Sequence, residues 1–257
     1  KPKDLAALLT GLEKNDVLAR RSFNQVLFGN TLYGHAPVVE EYAQLQRSQL
    51  LEYYKKAYQP ANCTMVVSGK VSETTLKSMN ATFGNNWEGN TAVAKNEFSF
   101  IPGTGNTHFL ERPDALQSAL RLGQIAINRT HPDFPALQVL NTIFGGYFGS
   151  RLMANIREDK GYTYGIGSGI ASLKDAGYFF IASEVGADVC TATMAEIEKE
   201  MKLLRTELVS EGELALVRNY MLGSLLGSLE NAFSHADKFK NTYFFGLNAS
   251  YYERYVQ

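Results

Sequence analysis

Apolar residues recur at helical spacing from the start of the chain. Leu5, Leu8, Leu9, Leu12, Val17, Leu18, Phe23 and Leu27 follow one another with no proline between them, which predicts one helix over 4–29. The next seven residues, GNTLYGH from Gly29 to His35, form a glycine-punctuated break. A second helix is expected over 48–58 and ends at the Gln59-Pro60 step, because the residue before a proline is pushed out of helical geometry. CTMVVS, residues 63–68, is a short β-rich run stopped by Gly69. Ser72 followed by Glu73 opens a helix expected to reach about Phe83.

The texture changes between Asn85 and Gly105. Trp87-Glu88-Gly89-Asn90 and Ile101-Pro102-Gly103-Thr104-Gly105 flank a polar stretch with little periodicity. Residues 89–104 therefore read as a linker between a unit at 1–88 and a second unit at 105–257. In the second unit, strands are expected at 108–111 and 117–127. A helix over 132–144 carries Leu137, Leu140, Ile143 and Phe144 on one face and is broken at Gly145-Gly146, read as a tight helix–helix joint. A helix over 150–160 follows, with Ser150 suited to cap it and Gly161 to end it. Strands at 162–172 and 177–184 are joined through Lys174-Asp175. Helices are expected at 191–207, 211–229 and 234–244, and 251–257 reads as a further one whose tyrosines pack. Strands grouped together and helices bundled after them describe an α+β fold with an antiparallel sheet packed against helices.

Composition narrows the function classes. The chain has 257 residues, 45% of them hydrophobic, which is enough for a substantial core. Its formal charge of −1 offers no basic excess for nucleic acid. Apolar runs are broken by Gly, Ser or charge well short of the roughly 20 residues that a membrane span needs. The two cysteines, Cys63 and Cys190, form no C-x-x-C pair, so both are read as small buried hydrophobes rather than metal ligands or a disulfide. The chain starts at Lys1 with no signal peptide, and a targeting segment is expected upstream if there is one.

The most informative run begins at Glu111: ERPDALQSALRLGQ, then HPDFPALQVLNTIFGGYFGSRLMANIREDKGYTYGIGSG from His131. A Gln-Ser strand, a helix ending N-x-x-x-G-G, then S-R-L and R-E-x-x-G-x-x-Y leading into a strand occur in that order. This series is similar to the second half of pitrilysin-type (insulinase-like) peptidase domains, the short bacterial type above all, with Ile156 where the family carries Leu. Upstream, LARRSFNQVLFGNTLYGHAPV resembles the family's segment around "lyG-hPyG", with His35-Ala36-Pro37 in place of His-Pro. Tyr58-Gln59-Pro60-Ala61-Asn62 and the run to Gly69 resemble the close of the first of two homologous domains. The resemblance covers nearly the whole chain and implies the end of a first domain and most of a second. It also implies a bacterial cytoplasmic or periplasmic setting, without choosing between them.

Peptidases of this type bind zinc through an inverted H-x-x-E-H motif and a distant Glu. The four histidines here, His35, His108, His131 and His235, contain no such pair. No metal site is expected in this chain; zinc is expected in a missing N-terminal domain or in a partner subunit. What the resemblance assigns to this part of the fold is Arg157 and Tyr164, facing the metal across a substrate chamber. A guanidinium suits a peptide carbonyl or a terminal carboxylate, and a phenol can donate to a developing oxyanion. The structural alternatives are an ion pair of Arg157 with Glu158 or Asp159, and packing of Tyr164 on the sheet. Gln117 and Ser118 are candidate contacts to an extended substrate at a strand edge. The expected function is part of a zinc-dependent endopeptidase that holds a peptide substrate and assembles as a homo- or hetero-oligomer with another subunit of the family. The alternatives are a non-catalytic partner subunit and a structural homologue without activity.

Overall fold

The computed structural model describes residues 2–84, 87, 89, 99, 107–248 and 250–256. Its centre is a three-stranded antiparallel sheet made of β1 (Gln117–Ala126), β2 (Thr163–Ser172) and β3 (Gly177–Gly186), in the order β1–β3–β2. The central strand reads Gly177-Tyr178-Phe179-Phe180-Ile181, almost continuously apolar, as a strand covered on both faces should. Side chains alternate between the faces. Ile181 joins Phe144, Leu152, Met153, Ile156, Ile166 and Ile197 in one cluster, with Leu122, Phe179 and Leu204 packed against it. Tyr178 and Ile125 turn the other way and meet Phe23, Leu27 and Phe28.

The described residues form ten α-helices: α1 (Pro2–Leu12), α2 (Asn15–Phe28), α3 (Val39–Gln44), α4 (Arg47–Ala57), α5 (Glu73–Met79), α6 (Phe134–Asn141), α7 (Cys190–Thr206), α8 (Glu211–Gly227), α9 (Ala232–Phe244) and α10 (Ser250–Val256). Helix α2 covers one sheet face. The rings of Phe23 and Phe28 lie 6.0 and 5.7 Å from that of Tyr178. Helices α6 and α7 and a π-helical segment, Met153–Asp159, cover the other. Tyr33 donates to Asp175 in the β2–β3 turn at 3.2 Å, a second tie between the N-terminal segment and the sheet. The α+β architecture with an antiparallel sheet against helices is as the sequence predicts.

Several elements differ from the sequence reading. The single helix expected over 4–29 is two, because Lys14 is extended (ψ 127°) and its amide bonds back to Gly11. Neither 63–68 nor 108–111 is a strand: a β run needs a neighbour to complete its ladder, and no strand pairs with either among the described residues. Met65, Val67 and Phe109 are exposed accordingly. The helix expected to Phe83 is α5, capped as predicted by Ser72 accepting from the Thr75 amide, and continues as a π turn, Asn80–Gly84. The helix over 132–144 likewise runs on as a π turn through Gly146. Ser150 does not cap by its side chain; its hydroxyl is buried without a partner, and its carbonyl accepts from Ala154 instead. Helix α3 had no periodicity long enough to announce it. Cys63 is exposed and Cys190 half-buried, and both are free, so neither is a core hydrophobe. The expected linker, 89–104, falls outside the described residues apart from Gly89 and Ser99. Tyr251 is buried and its ring meets Tyr252, in keeping with packing. No helix among the described residues is long and apolar enough to cross a membrane.

Candidate functional site

The π-helical segment Met153–Asp159 carries Arg157, and its apolar residues explain where it sits. Met153 and Ile156 are buried in the main cluster, as is Leu152 just before them. Its polar side is tied to two helices. Arg151 donates to both carboxylate oxygens of Glu213 at 2.8 and 2.7 Å, a bidentate pair. Asn155 donates to Glu196 at 2.9 Å and to the buried Glu200 at 2.7 Å. Hydrogen bonding from Arg151 holds the Glu213 carboxyl below its ordinary range and raises Arg151 in turn. The bond from Asn155 does the same for Glu196, with Lys199 second. Wide π turns inside α-helices are often found at functional sites.

Arg157, near the end of this segment, is half-buried. Its guanidinium carbon lies 4.6 Å from the centroid of the Phe148 ring, and one nitrogen is 3.5 Å from Glu158. The ion pair anticipated as the structural alternative therefore exists, alongside a cation–π contact that the sequence did not announce. Phe148 is 68% exposed although it is a large apolar side chain. It is held out by its neighbours: the Tyr147 ring meets that of Tyr220 of α8 at a tilt, 4.8 Å between centroids, and the Ser150 amide closes a turn onto the Tyr147 carbonyl. An aromatic pair between two glycine positions just before a helix was the signal in the sequence. Gly145 is required for a different reason: a Cβ there would lie 2.6 Å from Ser168 Oγ, so the helix end sits directly on β2. Gly145 and Gly146 close the π turn, packed against β2, and the chain passes through 147–150 into the next helical stretch at Arg151.

Gly161 turns the chain from the π segment into β2. Its φ of +66° is left-handed, and its amide bonds to the Arg157 carbonyl at 3.2 Å while Tyr162 reaches the Ile156 carbonyl at 3.0 Å. Tyr164 then stands on β2 with 92% of its surface exposed, so it does not pack on the sheet. No hydrogen bond, ion pair or ring contact joins Arg157 to Tyr164 among the described residues.

Gln117 and Ser118 open the edge strand β1. Ser118 is opposite Val185, and so is Thr163 on the far side of β3. With strands about 4.8 Å apart, the starts of β1 and β2 are about 10 Å apart across one end of the sheet. That end also borders a cavity of about 750 Å³ whose lining includes Lys14, Asp16, Arg112, Asp114, Gln117 and Glu184. The Gln117 carbonyl accepts from Asn15 at 3.1 Å, which occupies part of the strand's opening.

The histidines do not fit a zinc site. His35 pairs with Glu41 at 3.2 Å, and the ring of His131 accepts from the Asp133 amide. No group of three metal-ligating side chains occurs among the described residues.

Residues 44–221, more than half of the chain, match the family described as "Peptidase M16 inactive domain", and the chain belongs to that family. It is 28% identical over 221 residues to the "Uncharacterized zinc protease YmxG" of Bacillus subtilis, covering 84% of this chain and 51% of that protein. It is 24% identical over 196 residues to the "Probable inactive metalloprotease YmfF" of the same organism, covering 76% of this chain and 45% of that protein. A solved structure of a peptidase M16 inactive domain from Pseudomonas fluorescens superposes with a TM-score of 0.88 at 25% identity, over 99% of this chain and 61% of that one. The pitrilysin-type resemblance is thereby established. The chain spans about half the length of the curated relatives it matches.

Proposed function

We propose that this member of the M16 inactive-domain family is the substrate-holding part of a zinc-dependent endopeptidase, with Arg157 and Tyr164 contacting the peptide and the metal supplied from elsewhere in the same protein or by a partner subunit. The observation that carries this reading is Tyr164. A tyrosine with 92% of its surface exposed, two residues from the buried Ile166 on the same strand, gains nothing for the fold and leaves its phenol free for a ligand. Arg157 supports it: Phe148 and Glu158 confine the guanidinium without burying it, so some of its five donors remain for a peptide carbonyl or carboxylate. Extended peptide can pair along the edge of β1 from Ser118 onward, beyond the Gln117 carbonyl that Asn15 occupies, where no neighbour strand lies on one side among the described residues. Neither Arg157 nor Tyr164 can activate water, so the general base belongs with the zinc-bearing part.

A second reading, a partner subunit that never holds metal, is favoured by the family's description as an inactive domain and by the name of the similar YmfF. An intact H-x-x-E-H upstream of Lys1 selects the first reading and its absence the second. In either case the test is cleavage of a quenched fluorescent peptide by the full-length zinc-loaded protein, or by its assembly with a zinc-bearing subunit. Tyr164→Phe is expected to lower kcat/KM by about 10²-fold, as loss of one oxyanion donor does. Arg157→Ala is expected to lower it as well, and wild-type rates in both variants refute the roles given to them.

A further inference from the structure

We propose that Thr163 and Ser183 are positioning residues for Tyr164, locking a β-bulge that turns its side chain out of the core. The inference rests on the reading that Tyr164 contacts substrate. Thr163 pairs with Val185 but Ile166 pairs with Ser183, so Tyr164 and Gly165 together oppose the single residue Glu184. One extra residue on one strand is a β-bulge, and bulges re-aim side chains. In an unbroken strand Tyr164 and Ile166 would share a face, since side chains two apart do. Instead Ile166 is buried, 5% exposed, and its amide contacts Met153 Sδ at 3.5 Å, while Tyr164 is 92% exposed.

A bulge leaves ladder groups unpaired, and two hydroxyls take them up. The Gly165 amide donates to Thr163 Oγ1 at 3.1 Å. Thr163 Oγ1 lies 2.6 Å from the Glu184 carbonyl and 3.0 Å from that of Gly165. Ser183 Oγ lies 3.0 Å from both the Gly165 carbonyl and Thr163 Oγ1. Each hydroxyl has one proton. The arrangement that satisfies every group has Thr163 donating to Glu184, its shorter contact, and Ser183 donating to Gly165. Ser183 is buried, so no water substitutes easily for it. Valine at 163 keeps the shape and removes the acceptor for the Gly165 amide and the donor for Glu184. Regular pairing, which turns Tyr164 back toward the sheet, then competes with the bulge.

The experiment is a double-mutant cycle in the full-length protein with its zinc-bearing part, read by cleavage of a quenched fluorescent peptide. Thr163→Val is expected to lower kcat roughly ten- to a hundred-fold with KM within about two-fold, the scale of a displaced contact group. Thr163→Ser restores the rate, and Ser183→Ala repeats the loss should the valine variant fold poorly. In a Tyr164→Phe background Thr163→Val costs little more, because its effect runs through the phenol. If Tyr164→Phe is slow but Thr163→Val matches wild type, or costs the same in both backgrounds, the positioning role is overturned while the role of Tyr164 stands. If Tyr164→Phe matches wild type, both fall.

Discussion

The bidentate pair Arg151–Glu213 offers a quantitative test of how the π-helical segment is held. Arg151 opens the turn that leads to Arg157, and Glu213 is the third residue of α8, whose amide is itself capped by Ser210 at 3.2 Å. The pair therefore joins two elements 62 residues apart. Its side chains are 21% and 28% exposed, between a surface pair and a buried one. Exposed pairs contribute about 0–1 kcal/mol, and breaking a fully buried one costs about 3–5 kcal/mol. Two short charge-assisted bonds at intermediate burial then correspond to a coupling of about 2 kcal/mol.

Glu213→Gln and Arg151→Met, alone and together, give that coupling by thermal or urea unfolding. For a chain of this size each kcal/mol moves Tm by about 2–4 °C, so Glu213→Gln should lower it by about 4–8 °C at pH 7. The pH dependence has a definite sign. The Arg151 hydrogen bond holds the Glu213 carboxyl below its ordinary value of 4.5, so the folded form binds its proton less readily than the unfolded form. The stabilisation is complete above about 4.5 and disappears as pH falls through the lowered folded value. Wild type and Glu213→Gln should therefore converge in stability toward strong acid. A Tm difference below about 1 °C at pH 7, or one that persists unchanged through the acid range, refutes the argument.

Three further perturbations probe the same region. Ile156→Ala empties a fully buried position between the π segment and the sheet and should cost about 2–5 kcal/mol, read as a lower urea midpoint at unchanged m-value. Gly161→Ala meets no neighbouring atom within 4 Å but must hold a φ of +66°, so it should cost about 1 kcal/mol from backbone strain alone, with Gly161→Asn milder. Phe148→Ala removes an exposed ring, so unfolding should shift by less than about 0.5 kcal/mol. Under the role proposed for Arg157, peptide cleavage by the full-length protein with its zinc-bearing part should nonetheless fall, because the guanidinium loses the surface that confines it.

The sequence was most legible where one periodicity dominates. Helix α7 is long and amphipathic, and its span comes within a few residues of that predicted, as does the span of α8. Strands β1, β2 and β3 were recognisable for the same reason, and Gly161 announced its left-handed turn. The errors came where a second influence competes with periodicity. Glu13-Lys14-Asn15-Asp16 interrupts the apolar pattern between Leu12 and Val17, the signal of the break between α1 and α2, but apolar residues on both sides and the lack of proline outweigh it in a reading by periodicity. Residues 63–68 have β-favouring side chains but no partner strand, and strand formation is decided by the partner. The π turns after α5 and α6 and through Met153–Asp159 shift the winding by a residue per turn, which a 3.6-residue pattern does not encode. Arg157 and Tyr164 were singled out by motif. Their surroundings were not, because the Phe148 platform and the bulge depend on contacts made by residues distant in sequence.

That last difference bears on how the site is built. Periodicity places Tyr164 on the same face as Ile166, buried, and a tyrosine there would be a packing residue. The extra residue in β2 reverses that outcome, and the cost of the irregular ladder is met by Thr163 and Ser183. Arg157 is set by an equivalent departure: an α-helix of the same length would carry position 157 elsewhere around its axis, whereas the π winding is compatible with burying Ile156 while its neighbour reaches Phe148. Both candidate residues thus stand on irregularities, each pinned by a core residue one or two positions away, Ile156 for Arg157 and Ile166 for Tyr164. Irregular backbone is retained where the surroundings over-determine it, and it clusters at functional sites. The same two core residues belong to one cluster, so a change in packing there moves both side chains together, and stability and substrate handling should be coupled in this part of the fold.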